Sequence, residues 1–204
     1  LHIQLRFANE YLHFGVGDGS LSTKWAGPNT NPPLNTWTHV ACVWSRSTNT
    51  MKQFRDGSEV ASKDITGFMP VNLPRSPLQV GLYSYKSDYS GLFHGYIDEF
   101  RLSSAARWGP RNFSPPTSAH EPDGQTALLL KDPAEAPFVA GVVAEGQDAS
   151  ASGHPVLFHG NAGVSSTEAK FGAKSFAFDG DGDWMTVAHR EEFNYADAFT
   201  VELW

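Results

Sequence analysis

The chain has 204 residues, enough for one large β domain or two small ones. Aromatic residues make up 13 % and charged residues 18 %, the reverse of a disordered composition. With 15 Lys+Arg against 22 Asp+Glu the net charge is −7 and no stretch is strongly basic, which argues against a phosphate-tracking groove and against nucleic acid as a partner.

The single cysteine, Cys42, excludes an internal disulfide and Cys-ligated zinc. No apolar run approaches the ~18 residues of a membrane span, so no membrane insertion is expected. Leu1–Phe7 alternates polar with apolar residues, unlike a signal peptide, and the missing initiator Met reads as a segment of a longer chain. A load of 19 Gly and 13 Pro favours short strands joined by turns, so an antiparallel β sandwich is the expected class.

In chain order, Leu1–Phe7 and Tyr11–Val16 read as strands, and Gly27–Leu34 as a loop. Thr38–Trp44 reads as a strand with Val40, Cys42 and Trp44 on one face and His39, Ala41 and Val43 on the other. Met51–Phe54 and Glu59–Ser62 flank Arg55-Asp56-Gly57-Ser58, where Asp-Gly signals a hairpin turn. Leu78–Leu82 and Phe93–Leu102 complete the first half. Trp108–Asp123 carries Pro110, Pro115, Pro116 and Pro122 and reads as a linker. Beyond it, Thr126–Leu130, Pro155–His159, Ser175–Phe178, Trp184–Val187 and Phe199–Trp204 read as strands, with a helical turn or two at Arg190–Tyr195.

The run Asn35-Thr36-Trp37-Thr38-His39-Val40-Ala41, then Asp56-Gly57, then Phe93-His94-Gly95-Tyr96-Ile97-Asp98-Glu99-Phe100-Arg101-Leu102 resembles the laminin-G-like, concanavalin A-like jelly-roll domains. It is most similar to the version found in phage tail and other virion appendage proteins. Ala106-Arg107-Trp108 and Asn112–Thr117 resemble the end of such a domain. Asp123–Leu130, Lys170–Ser175, Phe178–Trp184 and Phe199–Trp204 resemble the opening of another. The resemblance implies an all-β, antiparallel two-sheet jelly-roll sandwich whose chain begins and ends mid-domain. Residues 1–118 would be the C-terminal part of one jelly roll, and 119–204 the N-terminal part of a following or permuted one.

The two-residue period of Phe93–Leu102 puts Tyr96, Asp98, Phe100 and Leu102 on one face. A carboxylate in an apolar row needs a cation or several donors. The resemblance implies structural calcium at Asp98; hydrogen bonds from loop amides are the alternative. Asp179, Asp181 and Asp183 have D-x-D-x-D spacing, but Trp184 and Arg190 stand where an EF-hand needs Gly and Glu. Asp179 and Asp183 are therefore candidate metal ligands or parts of a Gly-rich turn. Asp132 and Asp148 match acidic positions near the family's domain start and are weaker candidates. Trp25, Tyr83, Tyr85 and Tyr89 read as loop aromatics, suited to stacking on sugar rings.

No G-x-S-x-G elbow or H-E-x-x-H is present. Asp98 and Glu99, as neighbours on one strand, would point to opposite faces and cannot pair as glycosidase carboxylates. Asn112-Phe113-Ser114 matches a glycosylation acceptor, which the following Pro115 makes a chance match. The expectation is a non-enzymatic module of a virion appendage, located in the virion. It would contact other virion subunits or its own copies, and adhere to a host surface glycan. The alternative is an accessory carbohydrate-binding domain of a secreted, extracellular glycoside hydrolase. A glycosidase of the same fold is the third reading.

Overall fold

The structure is a computed structural model. It describes residues 2–8, 11–17, 23–26, 32–68, 77–85, 88–109, 111–131, 143–144, 148–195 and 197–204. For the strands within 2–26, 83–91 and 143–144 the description covers the backbone alone. The strands are β1 (His2–Ala8), β2 (Tyr11–Gly17), β3 (Thr23–Ala26), β4 (Val40–Ser45), β5 (Thr50–Arg55) and β6 (Ser58–Asp64). Then come β7 (Leu78–Val80), β8 (Leu82–Tyr85), β9 (Asp88–Leu92), β10 (His94–Ile97), β11 (Phe100–Ser103) and β12 (Thr126–Leu130). The last are β13 (Val143–Ala144), β14 (Val156–His159), β15 (Gly163–Ser165), β16 (Ser175–Asp179), β17 (Trp184–Val187) and β18 (Ala198–Leu203). A single 3-10 turn, Glu191–Phe193, stands where the helical turn was expected. The chain is thus all-β, and its described strand pairings are antiparallel.

Two compact units divide the chain. The first comprises Leu1–Pro74, Leu102–Pro116 and Arg190–Leu203. It holds the sheet β1-β2-β3 and the consecutive strands β18-β4-β5-β6. All six residues of β4 are buried, because each face of the strand is covered. On one face Trp44 stands opposite Phe199 in register, and their rings stack 6.2 Å apart at 5°. Phe68 and Tyr195 extend this cluster, and burying each such ring contributes about 1.5–3 kcal/mol.

The other face of β4 carries Ala41 and Val43, packed with Phe54, Trp108 and Phe113. Here the structure corrects the linker reading. Trp108–Pro116 belongs to the first unit and folds back as a strap. The Trp108 and Phe113 rings stack at 3.9 Å and 4°. Phe113 N–H donates to Gly57 O at 2.9 Å, and the Asn112 side chain accepts Glu59 N–H at 2.9 Å. Trp108 Nε1–H donates to the buried Glu202 carboxylate at 2.7 Å, and His39 Nε2 lies 3.4 Å from the same oxygen. The prolines limit helix formation, but they do not prevent aromatic side chains between them from burying area.

The second unit comprises Arg75–Arg101, Thr117–His189 and Trp204. It holds the sheets β10-β16-β15 and β13-β14-β17-β7, and the hairpin β8-β9. Alternation sets the inward faces. Val156 and Phe158 of β14, Met185 and Val187 of β17, and Phe176 and Phe178 of β16 are buried. Phe158 and Phe176 meet at 6.1 Å, so the two sheets pack face to face as a sandwich. Asp123 caps the entry to β12 by accepting the Thr126 hydroxyl at 2.9 Å.

A second correction concerns Phe93–Leu102. The expected single strand is broken at Asp98-Glu99, between β10 and β11, where Glu99 adopts φ 54°. The break changes the parity. Tyr96 is 41 % exposed, whereas Asp98, Phe100 and Leu102 are buried.

Candidate functional site

The acidic residues singled out from the sequence do separate jobs. Asp98 is fully buried. Its Oδ1 accepts Glu99 N–H at 2.8 Å, and its Oδ2 accepts Lys170 N–H at 2.9 Å and Phe171 N–H at 3.1 Å. Burial pushes its carboxyl above the ordinary 3.8, and the three amides pull partway back. The neighbouring Glu99 is also buried and accepts the amide of His120, whose Nδ1 lies 3.3 Å from it.

Asp148 accepts four donors. These are Leu129 N–H (2.9 Å), Ser150 N–H (2.8 Å), Ser150 Oγ–H (2.7 Å) and His154 N–H (2.8 Å). A carboxylate offers about four lone-pair sites, so this one is filled. Asp148 fastens the chain beside β12 through these four hydrogen bonds. Asp183 is buried and accepts the amides of Asp179 and Gly180, so the D-x-D-x-D run is a turn closed on its own backbone. Asp98, Asp148, Asp179 and Asp183 do not gather into any cluster of three metal-ligating side chains among the described residues. Asp132 lies outside the described residues.

The aromatics expected in loops lie on strands instead. Tyr83 and Tyr85 are on β8 and Trp25 is on β3, paired with Gly91, Asp88 and Gly15 respectively, and Tyr89 is on β9. Their side chains are outside the described residues. Short strands interrupted by Gly and Ser lack the long alternation that would have shown them in sequence.

A different surface of the second unit combines an aromatic with polar groups. On the outer face of β10-β16-β15, Tyr96, Ala177 and Gly163 stand directly opposite one another across three strands. Two residues along, His94 of β10 stands opposite Asp179 of β16. Asn161, in the turn between β14 and β15, donates its side-chain amide to Asp179 Oδ2. Asp181 N–H donates to Asp179 Oδ1 at 2.8 Å. The Asn161 amide, followed by the Asp181 amide and the charge of His94, holds the Asp179 carboxyl below its ordinary 3.8. His94, Tyr96, Asn161 and Asp179 are all exposed. The arrangement therefore offers an exposed ring, the half-buried Ala177 beside it with Gly163 buried beyond, and a fixed row of hydrogen-bonding groups. None of Tyr96, His94 or Asn161 was singled out from the sequence as a site residue. The available signal was His94-Gly95-Tyr96, whose two-residue spacing puts both polar-tipped rings on one face.

A family model described as the concanavalin A-like lectin/glucanases superfamily matches residues 1–109, more than half of the chain. The chain belongs to this superfamily. Comparison with curated proteins and with solved structures gave no match. Tyr96 lies just inside the matched stretch and faces solvent beside the Asp179–Asn161 pair.

Proposed function

We propose that this chain is a non-catalytic carbohydrate-binding sandwich module, carried by a phage or other virion appendage. The observation that carries the binding reading is the exposed Tyr96 ring beside the Asp179–Asn161 pair on one sheet face. An apolar sugar face stacks on such a ring while its hydroxyls meet the polar row. Superfamily membership supports the same reading. The buried, amide-bonded Asp98 and Glu99 support a non-catalytic role, since neither is placed to exchange protons with a substrate. Support for the virion context is the order of the motifs Asn35–Ala41, Asp56-Gly57 and Phe93–Leu102. In that context the partners are neighbouring virion subunits or further copies of this chain, and a host surface glycan.

A labelled preparation of the chain on an immobilised glycan library tests the binding. Retention by at least one glycan, abolished by Tyr96→Ala, is the expected result. A folded chain retained by no glycan refutes it. Mass spectrometry of purified particles tests the location, and absence of peptides from this chain would refute that part.

A further inference from the structure

We propose that Asp181-Gly182 is a modification site, at which the chain converts spontaneously to isoaspartate, and that the fold protects its other described Asp-Gly pairs. The reaction needs no ligand and is independent of the carbohydrate reading.

The sequence holds five Asp-Gly pairs and no Asn-Gly. Glycine after aspartate favours the reaction, because without a side chain its amide nitrogen can rotate onto the carboxyl carbon before it. That nitrogen attacks Cγ of the neutral carboxyl, and the new C–N bond closes a five-membered imide. One water leaves, made of the amide proton and the carboxyl hydroxyl. A second water then opens the ring. Cleavage between nitrogen and the backbone carbonyl leaves the main chain running through Cβ and Cγ, which is isoaspartate. Cleavage of the other bond restores aspartate. The step requires an uncommitted carboxyl, an uncommitted glycine N–H and room to rotate.

Three of the four described pairs lack at least one of these. Asp56 Oδ1 accepts His39 N–H at 2.9 Å, and Gly57 is buried, with no space for a Cβ against Phe113 O. Asp123 Oδ1 accepts Gln125 N–H at 3.0 Å and the Thr126 hydroxyl at 2.9 Å. Asp179 is held on both carboxylate oxygens, and the Gly180 N–H is committed to Asp183 Oδ1 at 3.2 Å. Asp18-Gly19 lies outside the described residues.

Asp181 differs on every count. It is exposed, at the outer end of the turn between β16 and β17. Among the described residues, no hydrogen bond takes up its carboxylate or the Gly182 N–H. A Cβ on Gly182 would meet nothing within 4 Å, so the peptide plane has room to turn. Exposed turn tips of this kind are also where local opening is easiest. Isomerisation there lengthens the turn that presents Asp179 by one main-chain carbon.

Ageing of the whole folded chain for weeks at physiological temperature and neutral pH tests this. Peptide mapping with electron-transfer fragmentation then locates isoaspartate residue by residue. Isoaspartate at Asp181 is expected to exceed that at Asp56, Asp123 or Asp179 tenfold or more. In a parallel sample unfolded by urea the four positions are expected to react at similar rates. No isoaspartate at Asp181 in the folded chain, or as much at any of the other three, overturns the assignment. A preference for Asp181 that persists in urea overturns the claim that the fold makes the selection.

Discussion

Asp98 and Trp204 exchange backbone hydrogen bonds in both directions, each 2.9 Å long. The Asp98 side chain meanwhile holds the amides of Lys170 and Phe171. Those two residues return to Trp204. The Lys170 ammonium sits 3.7 Å from the indole centroid, and the Phe171 ring meets it edge-on at 5.9 Å. One carboxylate thus ties the break between β10 and β11 to the loop before β16. Asp98→Asn keeps an oxygen toward one side and turns an NH2 group against amide donors on the other. A stability loss of about 1–3 kcal/mol is expected, the usual cost of stranding a buried donor. Urea denaturation measures it, and a loss below about 0.5 kcal/mol would mean that the loop amides find other acceptors.

The strap over β4 and β5 gives a second prediction. Gly57 has φ 75°, and a Cβ there would lie 1.8 Å from Phe113 O. Gly57→Ala combines a left-handed backbone with a clash against main chain, so at least about 2 kcal/mol of destabilisation is expected. Trp108→Phe keeps the stack on Phe113 but leaves Glu202 without its indole donor, for an expected loss of about 1–3 kcal/mol. Both are read by chemical denaturation. Wild-type stability in Gly57→Ala would show that the strap does not pack as described.

His159 supplies a pH dependence. It stacks on Trp184 at 4.6 Å and 10°, and its Nε2 is 2.9 Å from Thr186 Oγ1. Burial lowers its pKa from the ordinary 6.5. Below 6.5 the unfolded chain takes a proton that the folded chain still refuses. This contribution to stability is therefore complete above pH 6.5 and is lost as pH falls from there through the lowered value. His159→Gln should flatten the slope of melting temperature against pH between 5 and about 7. An unchanged slope would assign the dependence to another group.

Much of the fold could be read directly where a short apolar or alternating run meets turn residues at both ends. Thr126–Leu130 and Trp184–Val187 match their observed strands, because a short apolar run in the first and alternation in the second are each bounded by turn residues. The Asp56-Gly57 hairpin was legible for the same reason, and both residues adopt positive φ as such a two-residue turn requires. The strap was not legible, because proline and polar content describe its backbone while Trp108 and Phe113 decide its position through contacts distant in sequence. The Tyr96 face was hidden by the left-handed residue at Glu99. One such residue inside an apparently regular strand reverses which side chains share a face. The amide partners of Asp98 and Asp148 were hidden for a related reason, since composition shows a carboxylate but not the backbone donors that meet it.

The polar row beside Tyr96 depends on a contact between two turns. Gly160 has φ 63°, and a Cβ there would lie 2.0 Å from Gly182 O. Gly160→Ala must therefore push the turn that carries Asn161 away from the turn that carries Asp179. Asn161→Ala removes the same amide without moving the backbone. Because the Asn161 amide is the largest influence holding Asp179 below 3.8, both substitutions should raise that pKa toward the ordinary value. Carbon-detected NMR titration of the Asp179 carboxyl measures this directly. The two variants separate cause from support. A rise in Gly160→Ala alone would show that turn packing, and not the Asn161 hydrogen bond, keeps the carboxylate charged. A rise of similar size in both shows that the glycine contact acts by delivering the amide.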